Sequence, residues 1–366
     1  MIRTLKCTAA VGGIIVLGSA ALVACSETDE SAASAPTATV AGLSGSGGAV
    51  VGEGATSQHT AMSLFAQAYN QNTGGSLSYN ATGSGAGQKQ FIGGTVDFGG
   101  SDSPLNPQQR EAAKQRCGGH EAWHLPLVIG PVAVAYNLPG APGLVLTPEL
   151  LAKIFKGEIT RWNDSAIAEL NGALSLPEQD ISVIYRSEES GTSDNFQKFL
   201  TAAAPGQWEG AGKSFPTATG SGANGSAGVV SEVGATEGAI TYVEAGFAKE
   251  AGLDVARIDF GAGPVELNTE SVGKALDAVE FAGGSHDLVV DGEKLYAQRE
   301  PGAYPLVLNT YELVCSQGYE PEVAARVKDF LLVALANQNQ SLEEQGYIPL
   351  SGEYKKKVEA AVEAIQ

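Results

Sequence analysis

The chain has 366 residues, enough for two ordinary domains and too many for one small module. Hydrophobic residues make up 43%, which supplies a sizeable core without the near-continuous apolarity of a multi-spanning membrane protein. Lys and Arg number 22 against 41 Asp and Glu, a net charge of −19 that excludes general affinity for nucleic-acid backbones.

Arg3 and Lys6 precede an apolar stretch from Ala9 to Val23 that ends in Leu22-Val23-Ala24-Cys25. A basic start, a short apolar run and small residues before a Cys read as a lipoprotein signal over residues 1–24, leaving a lipidated Cys25. The alternative, a transmembrane anchor, asks for about 20 apolar residues, more than this run supplies. Cleavage removes Arg3 and Lys6 and takes the charge from −19 to −21. Export places the chain in an oxidising compartment, where Cys117 and Cys315 are either a disulfide or two buried thiols. Residues 25–47, rich in Ser, Ala, Thr, Pro and Gly, lack apolar periodicity and are expected to form a flexible tether.

From Ala49 short apolar strands alternate with helical patterns. A strand at Ala49 to Val51 is followed by Met62, Phe65, Ala68 and Tyr69 at helical spacing, then a strand at Leu77 to Tyr79, a helix at Gln88 to Ile92 and a strand at Val96 to Phe98. This β-α-β-α-β order is that of a doubly wound α/β sheet. The run Leu125 to Tyr136 is too long for an ordinary strand, is interrupted by Gly130-Pro131, and reads as a crossover between two lobes. Helices near Pro148 to Phe155 and Asp164 to Leu170, a strand at Ile181 to Tyr185 and a helix from about Ser190 follow. The run Tyr304 to Val314 is the return crossover, and helices from Pro321 and Glu353 finish the chain. One lobe is then discontinuous, 48–126 with 306–366, and the other is 127–305. A cleft between such lobes is where a small ligand binds.

The 47 glycines concentrate in loops between strands and helices. Three belong to the first lobe: Gly52-Glu53-Gly54-Ala55-Thr56-Ser57, Thr82-Gly83-Ser84-Gly85-Ala86-Gly87 and Gly99-Gly100-Ser101-Asp102-Ser103-Pro104. The second contributes Tyr185-Arg186-Ser187-Glu188-Glu189-Ser190-Gly191-Thr192-Ser193. Such loops offer amides and hydroxyls at the positive ends of helix dipoles, where an oxyanion replaces missing acceptors. Singly, each is explained as a cap or turn. Asp102 could cap a helix before Pro104, and Arg186 could belong to a salt bridge.

Together these loops, with Leu-Ala-Lys-Ile-Phe-Lys-Gly-Glu-Ile-Thr-Arg-Trp-Asn-Asp at 151–164, resemble the phosphate-binding lipoproteins of high-affinity phosphate ABC importers, the PstS type of periplasmic binding protein. The likeness runs from about Ala49 to the C-terminus and is densest before residue 250. It implies a two-lobed periplasmic-binding-protein fold, each lobe a mixed sheet flanked by helices, with two crossover strands as the hinge. It also implies capture of inorganic phosphate, with no cofactor and no catalysis, by a monomeric domain lipid-anchored at the outer face of the cell membrane, and delivery to permease subunits coupled to an ATPase.

Carried over by position, Thr56 and Ser84 contribute hydroxyls and amides, Ser57 an amide, and Asp102 lies with them. Arg186, the Ser190 hydroxyl, the Gly191 amide and the amide and hydroxyl of Thr192 come from the second lobe. Relatives often carry an aromatic residue in place of Ser57 and a second serine in place of Gly85, so one pocket wall and one hydroxyl contact are altered. The guanidinium of Arg186 matches two phosphate oxygens. Asp102 facing an anion is unfavourable unless the ion donates a proton, which hydrogen phosphate does and sulfate does not.

His120-Glu121-Ala122-Trp123-His124 fits a zinc-protease pattern, but Gly118-Gly119 before it and Pro126 after it argue against the helix that pattern requires. Gly210-Ala211-Gly212-Lys213-Ser214 resembles the end of a P-loop, but position 207 is Gln207 where the first glycine belongs. Trp162 reads as a core residue. The competing functions are a phosphate-ester hydrolase, for which neither a metal cluster nor an activated nucleophile is evident, and an adhesive or signalling lipoprotein that keeps only the fold.

Overall fold

The computed structural model describes residues 37–216, 219–284 and 286–366; the signal segment, Cys25 and the start of the expected tether lie outside them. The first half alternates as expected: β1 (Ala49–Gly54), a 3-10 turn (Thr56–Gln58), α1 (His59–Thr73), β2 (Ser76–Ala81), α2 (Ser84–Ile92), β3 (Phe98–Ser101) and α3 (Pro107–Arg116). The long β4 (Ala122–Tyr136) then leads into the second half. There β5 (Val145–Leu146), α4 (Pro148–Lys156), α5 (Ser165–Leu170), β6 (Ser182–Arg186), α6 (Gly191–Ala203), β7 (Ser221–Ala223), α7 (Gly225–Ala235) and β8 (Ala239–Glu244) follow. They are succeeded by α8 (Ala245–Glu250), β9 (Asp254–Val255), β10 (Arg257–Asp259), β11 (Pro264–Val265), α9 (Thr269–Leu276) and α10 (Gly292–Ala297). The return strand β12 (Val307–Cys315) and helices α11 (Pro321–Ala336), α12 (Gln340–Glu344) and α13 (Gly352–Glu363) complete the chain. Among these helices none is long and apolar enough to cross a membrane.

The main sheet has the order β2-β1-β3-β12-β4-β8-β6-β7, with β9 beside β4, and β11-β10-β5 form a small second sheet. The two ends of the main sheet are alike: β2, β1 and β3 are parallel and meet antiparallel β12, while β7, β6 and β8 are parallel and meet antiparallel β4. Parallel strands need crossover helices, which cover both faces and bury the strands. Phe98 stacks between Tyr79 and Phe330 at centroid distances of 6.0 and 5.2 Å in the first half. Phe155, Phe196, Phe215 and Tyr242 pack together in the second. Trp162 is fully buried and its Nε1–H donates to the Gly238 carbonyl at 3.0 Å, as a core residue should.

The run expected to break at Gly130-Pro131 is one uninterrupted strand. β12 pairs with β4 up to Pro131, and β8 takes over from Val132. Pro131 cannot donate to a ladder, and it stands where β4 exchanges neighbours. The third strand of the first half is Phe98–Ser101 and not Val96–Phe98. Gly99 and Gly100 pair with both β1 and β12, so these glycines, read as loop, are strand, as are Gly52 to Gly54. The expected free tether is also shortened. The Ala38 amide donates to Asn337, the Val40 amide to Asn72, and the Ser44 amide and hydroxyl to Asp329 at 2.9 and 2.6 Å. Val40 and Leu43 meanwhile lie against the core. Cys117, which caps α3, and Cys315, which ends β12, form a disulfide.

Candidate functional site

The strand ends and helix starts of the two halves meet between β3 and β6. Four short-loop helix entries converge there: the Thr56 turn, α2 at Ser84, α6 at Gly191 and α7 at Gly225. Of these four, only α6 has an N-cap side chain that accepts, Ser190 Oγ from the Ser193 amide at 3.2 Å; at α7 the Gly225 and Ser226 amides donate instead to Glu188 Oε2 and Thr56 Oγ1 at 3.2 and 3.3 Å, and at α2 the Gly85 amide donates to the Glu189 carbonyl. Amides at a helix start are donors an oxyanion can share.

Arg186, at the end of β6, is 2% exposed and organises the second half of the site. It donates through Nη2 to Thr56 Oγ1 at 2.7 Å, across the two halves, and through Nη1 to Thr192 Oγ1 at 3.2 Å and Ser226 Oγ at 3.3 Å. It also pairs with Glu188, two residues further along the same loop, a bridge that is neither on the surface nor between the halves.

Asp102 follows β3 and is 3% exposed. It caps no helix; Asn106 caps α3 instead. Its Oδ1 accepts from Ser57 Oγ at 2.6 Å and Thr310 Oγ1 at 2.7 Å, and Oδ2 from Ser84 Oγ at 3.2 Å. Thr310 stands at the register shift of β12 against β4, and such an irregularity re-aims a side chain. Burial, with the charge of Glu244, lifts Asp102 from 3.8 to about 6 against the opposing pull of Ser57, Thr310 and Arg186.

The halves approach closely at two glycines. A side chain on Gly191 would meet Ser84 Oγ at 2.4 Å and Asp102 Oδ2 at 2.6 Å, so only glycine lets the start of α6 touch the first half. At Gly85 a Cβ would lie 2.4 Å from that of Glu189, whose carbonyl accepts from the Gly85 amide at 3.0 Å. Asn195 Nδ2 donates to the Asp102 carbonyl at 2.8 Å, Ser103 donates to Asp194, and Lys89 pairs with Glu189 on the outside. A cavity of about 600 Å³ adjoins Asp102, lined by Asn195, Lys198, Tyr296, Asn309 and Tyr311.

Thr56, Ser57, Ser84, Asp102, Arg186, Ser190, Gly191 and Thr192 are thus brought to one place. Sequence reasoning missed four of their neighbours. Ser226 opens α7 in Ser221-Gly222-Ala223-Asn224-Gly225-Ser226, a glycine-rich strand-to-helix loop of the kind already singled out, so its signal was present. Thr310 and Glu312 sit in the run read as the return crossover, and Glu244 in β8, which sequence reasoning left unassigned, so their roles have no local signal. Ser57 was expected to offer only an amide, yet its hydroxyl supports Asp102.

The zinc-protease pattern dissolves. His120 lies in a turn and His124 in β4, with the Leu105 amide donating to its Nε2 at 2.9 Å and its Nδ1 2.6 Å from Asp287. The first contact makes Nε2 an acceptor, so the hydrogen is on Nδ1 and the ring is neutral. Burial lowers His124 in the same sense. Gly212 in the P-loop-like segment donates to Asp194, tying that segment to α6. Among the described residues no cluster of His, Cys, Asp or Glu could hold a metal ion.

Residues 30–337 match the family model described as the PBP superfamily domain. The chain is 43% identical to phosphate-binding protein PstS 3 of Mycobacterium leprae (strain TN), over 85% of each chain. It is 44% identical to phosphate-binding protein PstS 2 of Mycobacterium tuberculosis (strain ATCC 25618 / H37Rv), over 85% of this chain and 86% of that one. Phosphate-binding protein PstS of Pasteurella multocida (strain Pm70) is 32% identical over 85% and 89%. Among solved structures, a high-affinity periplasmic phosphate-binding protein bound with phosphate has a TM-score of 0.68 at 22% identity, covering 85% of this chain and 93% of its own, and supports the two-lobed α/β fold. With a family match over most of its length and relatives above 40% identity along nearly all of theirs, the chain belongs to the PBP superfamily and, within it, to the PstS phosphate-binding proteins.

Proposed function

We propose that this protein captures inorganic phosphate between lobes at 48–126 with 306–366 and at 127–305, and delivers it to the permease of a phosphate ABC importer. The observation that carries the reading is the convergence of Asp102 and Arg186, from opposite halves, on one buried set of hydroxyls beside the starts of α2 and α6. Thr56, Ser57 and Ser84 serve the ion from one side, and Arg186, Ser190, Gly191 and Thr192 from the other. Binding needs no bond-breaking step and no cofactor. The hinge is formed by β4 and β12, and closure favours the liganded conformer. Lipidation at Cys25 holds the domain at the outer face of the membrane, near the permease and its ATPase, with the segment before Ala38 as the remaining tether.

Titration calorimetry with phosphate and then sulfate tests this. Tight phosphate binding, weak sulfate binding and no turnover of a chromogenic phosphate ester are expected. Ester turnover would replace the reading with a hydrolase, and absence of ion binding would leave an adhesive or signalling role.

A further inference from the structure

The hydroxyl of Thr192 has one hydrogen, and it is already committed. Its Oγ1 accepts from Arg186 Nη1 at 3.2 Å and lies 2.5 Å from Glu244 Oε1. A guanidinium only donates and an ionised carboxylate only accepts, so the hydrogen points at Glu244 and the hydroxyl turns lone pairs elsewhere. Glu244, the last residue of β8, is 2% exposed, and its Oε2 has no hydrogen-bond partner among the described residues. An anion held by Arg186 and Thr192 therefore meets a hydroxyl facing the wrong way and a buried carboxylate behind it. Glu188 already neutralises the one guanidinium.

We propose that phosphate capture is coupled to uptake of one proton at Glu244, which reverses its hydrogen bond with Thr192. The protonated carboxyl donates to Thr192 Oγ1, and the Thr192 hydrogen turns to the anion. One O–H bond forms on Glu244 as the bond holding that proton in a buffer acid breaks; no other covalent bond changes and no oxidation or reduction occurs. The groups around Glu244 are Thr192 of α6, Arg186 of β6, Asp102 after β3 and Tyr347 after α12, whose hydroxyl donates to the Ser57 carbonyl. On the β4 side Glu244 meets Gly130, which brings no charge. Arg186 is thus the only cation among these groups, and it is shared with Glu188. Adding an anion without a proton would place it beside two carboxylates in a dry site, where their repulsion is poorly screened.

The proposal rests on the phosphate reading, and its test separates the two. The full chain is titrated with inorganic phosphate under mildly alkaline conditions, where the free ion is mainly the dianion, in buffers of different ionisation enthalpy. Wild type should take up about one proton per phosphate, with affinity falling about tenfold per pH unit. In Glu244→Gln the amide N–H donates to Thr192 Oγ1 without a proton, so uptake should fall close to zero and the pH slope should flatten. Phosphate binding by wild type without proton uptake, or uptake that persists in Glu244→Gln, overturns the proposal and leaves the functional reading standing. The wild-type measurement decides even if Glu244→Gln does not fold. Failure of wild type to bind phosphate refutes both.

Discussion

Replacing Asp102 with Asn exchanges one acceptor oxygen for an N–H2 at the centre of the site, and the surroundings decide which one. Oδ1 accepts from both Ser57 and Thr310, at 2.6 and 2.7 Å, whereas Oδ2 has only the longer bond from Ser84 at 3.2 Å. The amide of the variant must therefore keep its oxygen at the Oδ1 position and place its nitrogen where Oδ2 stood. Oδ2 is the atom free to accept a hydrogen from hydrogen phosphate, so phosphate loses a charge-assisted hydrogen bond of about 2 kcal/mol. Sulfate has no hydrogen to give. It is relieved of a carboxylate and gains a donor, a change of similar size and opposite sign. The phosphate-to-sulfate ratio of affinities should fall by about 4 kcal/mol, on the order of a thousandfold. Calorimetry with both anions at one pH and ionic strength reads the ratio directly. An unchanged ratio, even with both affinities weakened, would refute the role given to this carboxylate.

The same substitution should stabilise the ligand-free protein. Asp102 is held at about 6 against 3.8 for the ordinary group, so the native state binds its proton more tightly than the unfolded chain, and stability falls as pH rises from about 4 through about 6. Above that window Asp102→Asn should melt higher than wild type, by up to about 3 kcal/mol in stability, with the gap closing in acid; equal melting at every pH would contradict it. Arg186→Lys keeps the charge but not the fork that reaches Thr56, Thr192 and Ser226, and phosphate affinity should drop about a hundredfold. A loss under threefold would show that charge alone suffices. Reduction of Cys117–Cys315, which closes a loop of 198 residues, should cost about 2–5 kcal/mol in denaturant unfolding but leave phosphate affinity intact, because α3 and β12 belong to the same half. Asp287→Ala should cost about 2 kcal/mol by leaving the buried His124 and Arg110 without their acceptor, measured by urea unfolding at neutral pH. Burial pushes Asp287 up, but His124 and Arg110 outweigh it and hold it at about 2, so this contribution is lost as pH falls from about 4 to 2.

What could be read from the sequence was what repeats locally. Met62, Phe65, Ala68 and Tyr69 mark α1 because one helical face must be apolar, and all four are buried. Ser190 signals the start of α6 because a hydroxyl there satisfies an amide. What could not be read depends on contacts far along the chain. Gly99 and Gly100 carry no side-chain pattern, and their strand exists because β1 and β12 flank it. Thr310 is recruited to Asp102 across 208 positions by a shift of register in β12 that no dipeptide announces. Glu244 and Glu312 stand in otherwise apolar strands, where alternation predicts nothing about a buried acid. Ser44 is anchored by Asp329, 285 positions away, so a composition typical of linkers still forms part of the body.

The charge balance of the site explains why two halves are needed at all. Asp102, Glu188 and Glu244 face a single Arg186, within a protein already at −19, so full charges cannot supply the attraction for an anion. It has to come from amides and hydroxyls, whose fields are short-ranged and weak in water. Each half carries an incomplete set: Thr56, Ser57, Ser84 and Asp102 on one, Arg186, Thr192 and Ser226 on the other. The contacts of Arg186 with Thr56 and of Asn195 with the Asp102 carbonyl bring the sets together, and Asp102 and Arg186 are buried there. On the proposed reading, the dipoles of these helix starts then act at low dielectric, while Asp102 penalises an ion that brings no hydrogen. On that reading selectivity and affinity arise from the same closure, and neither half alone would have either.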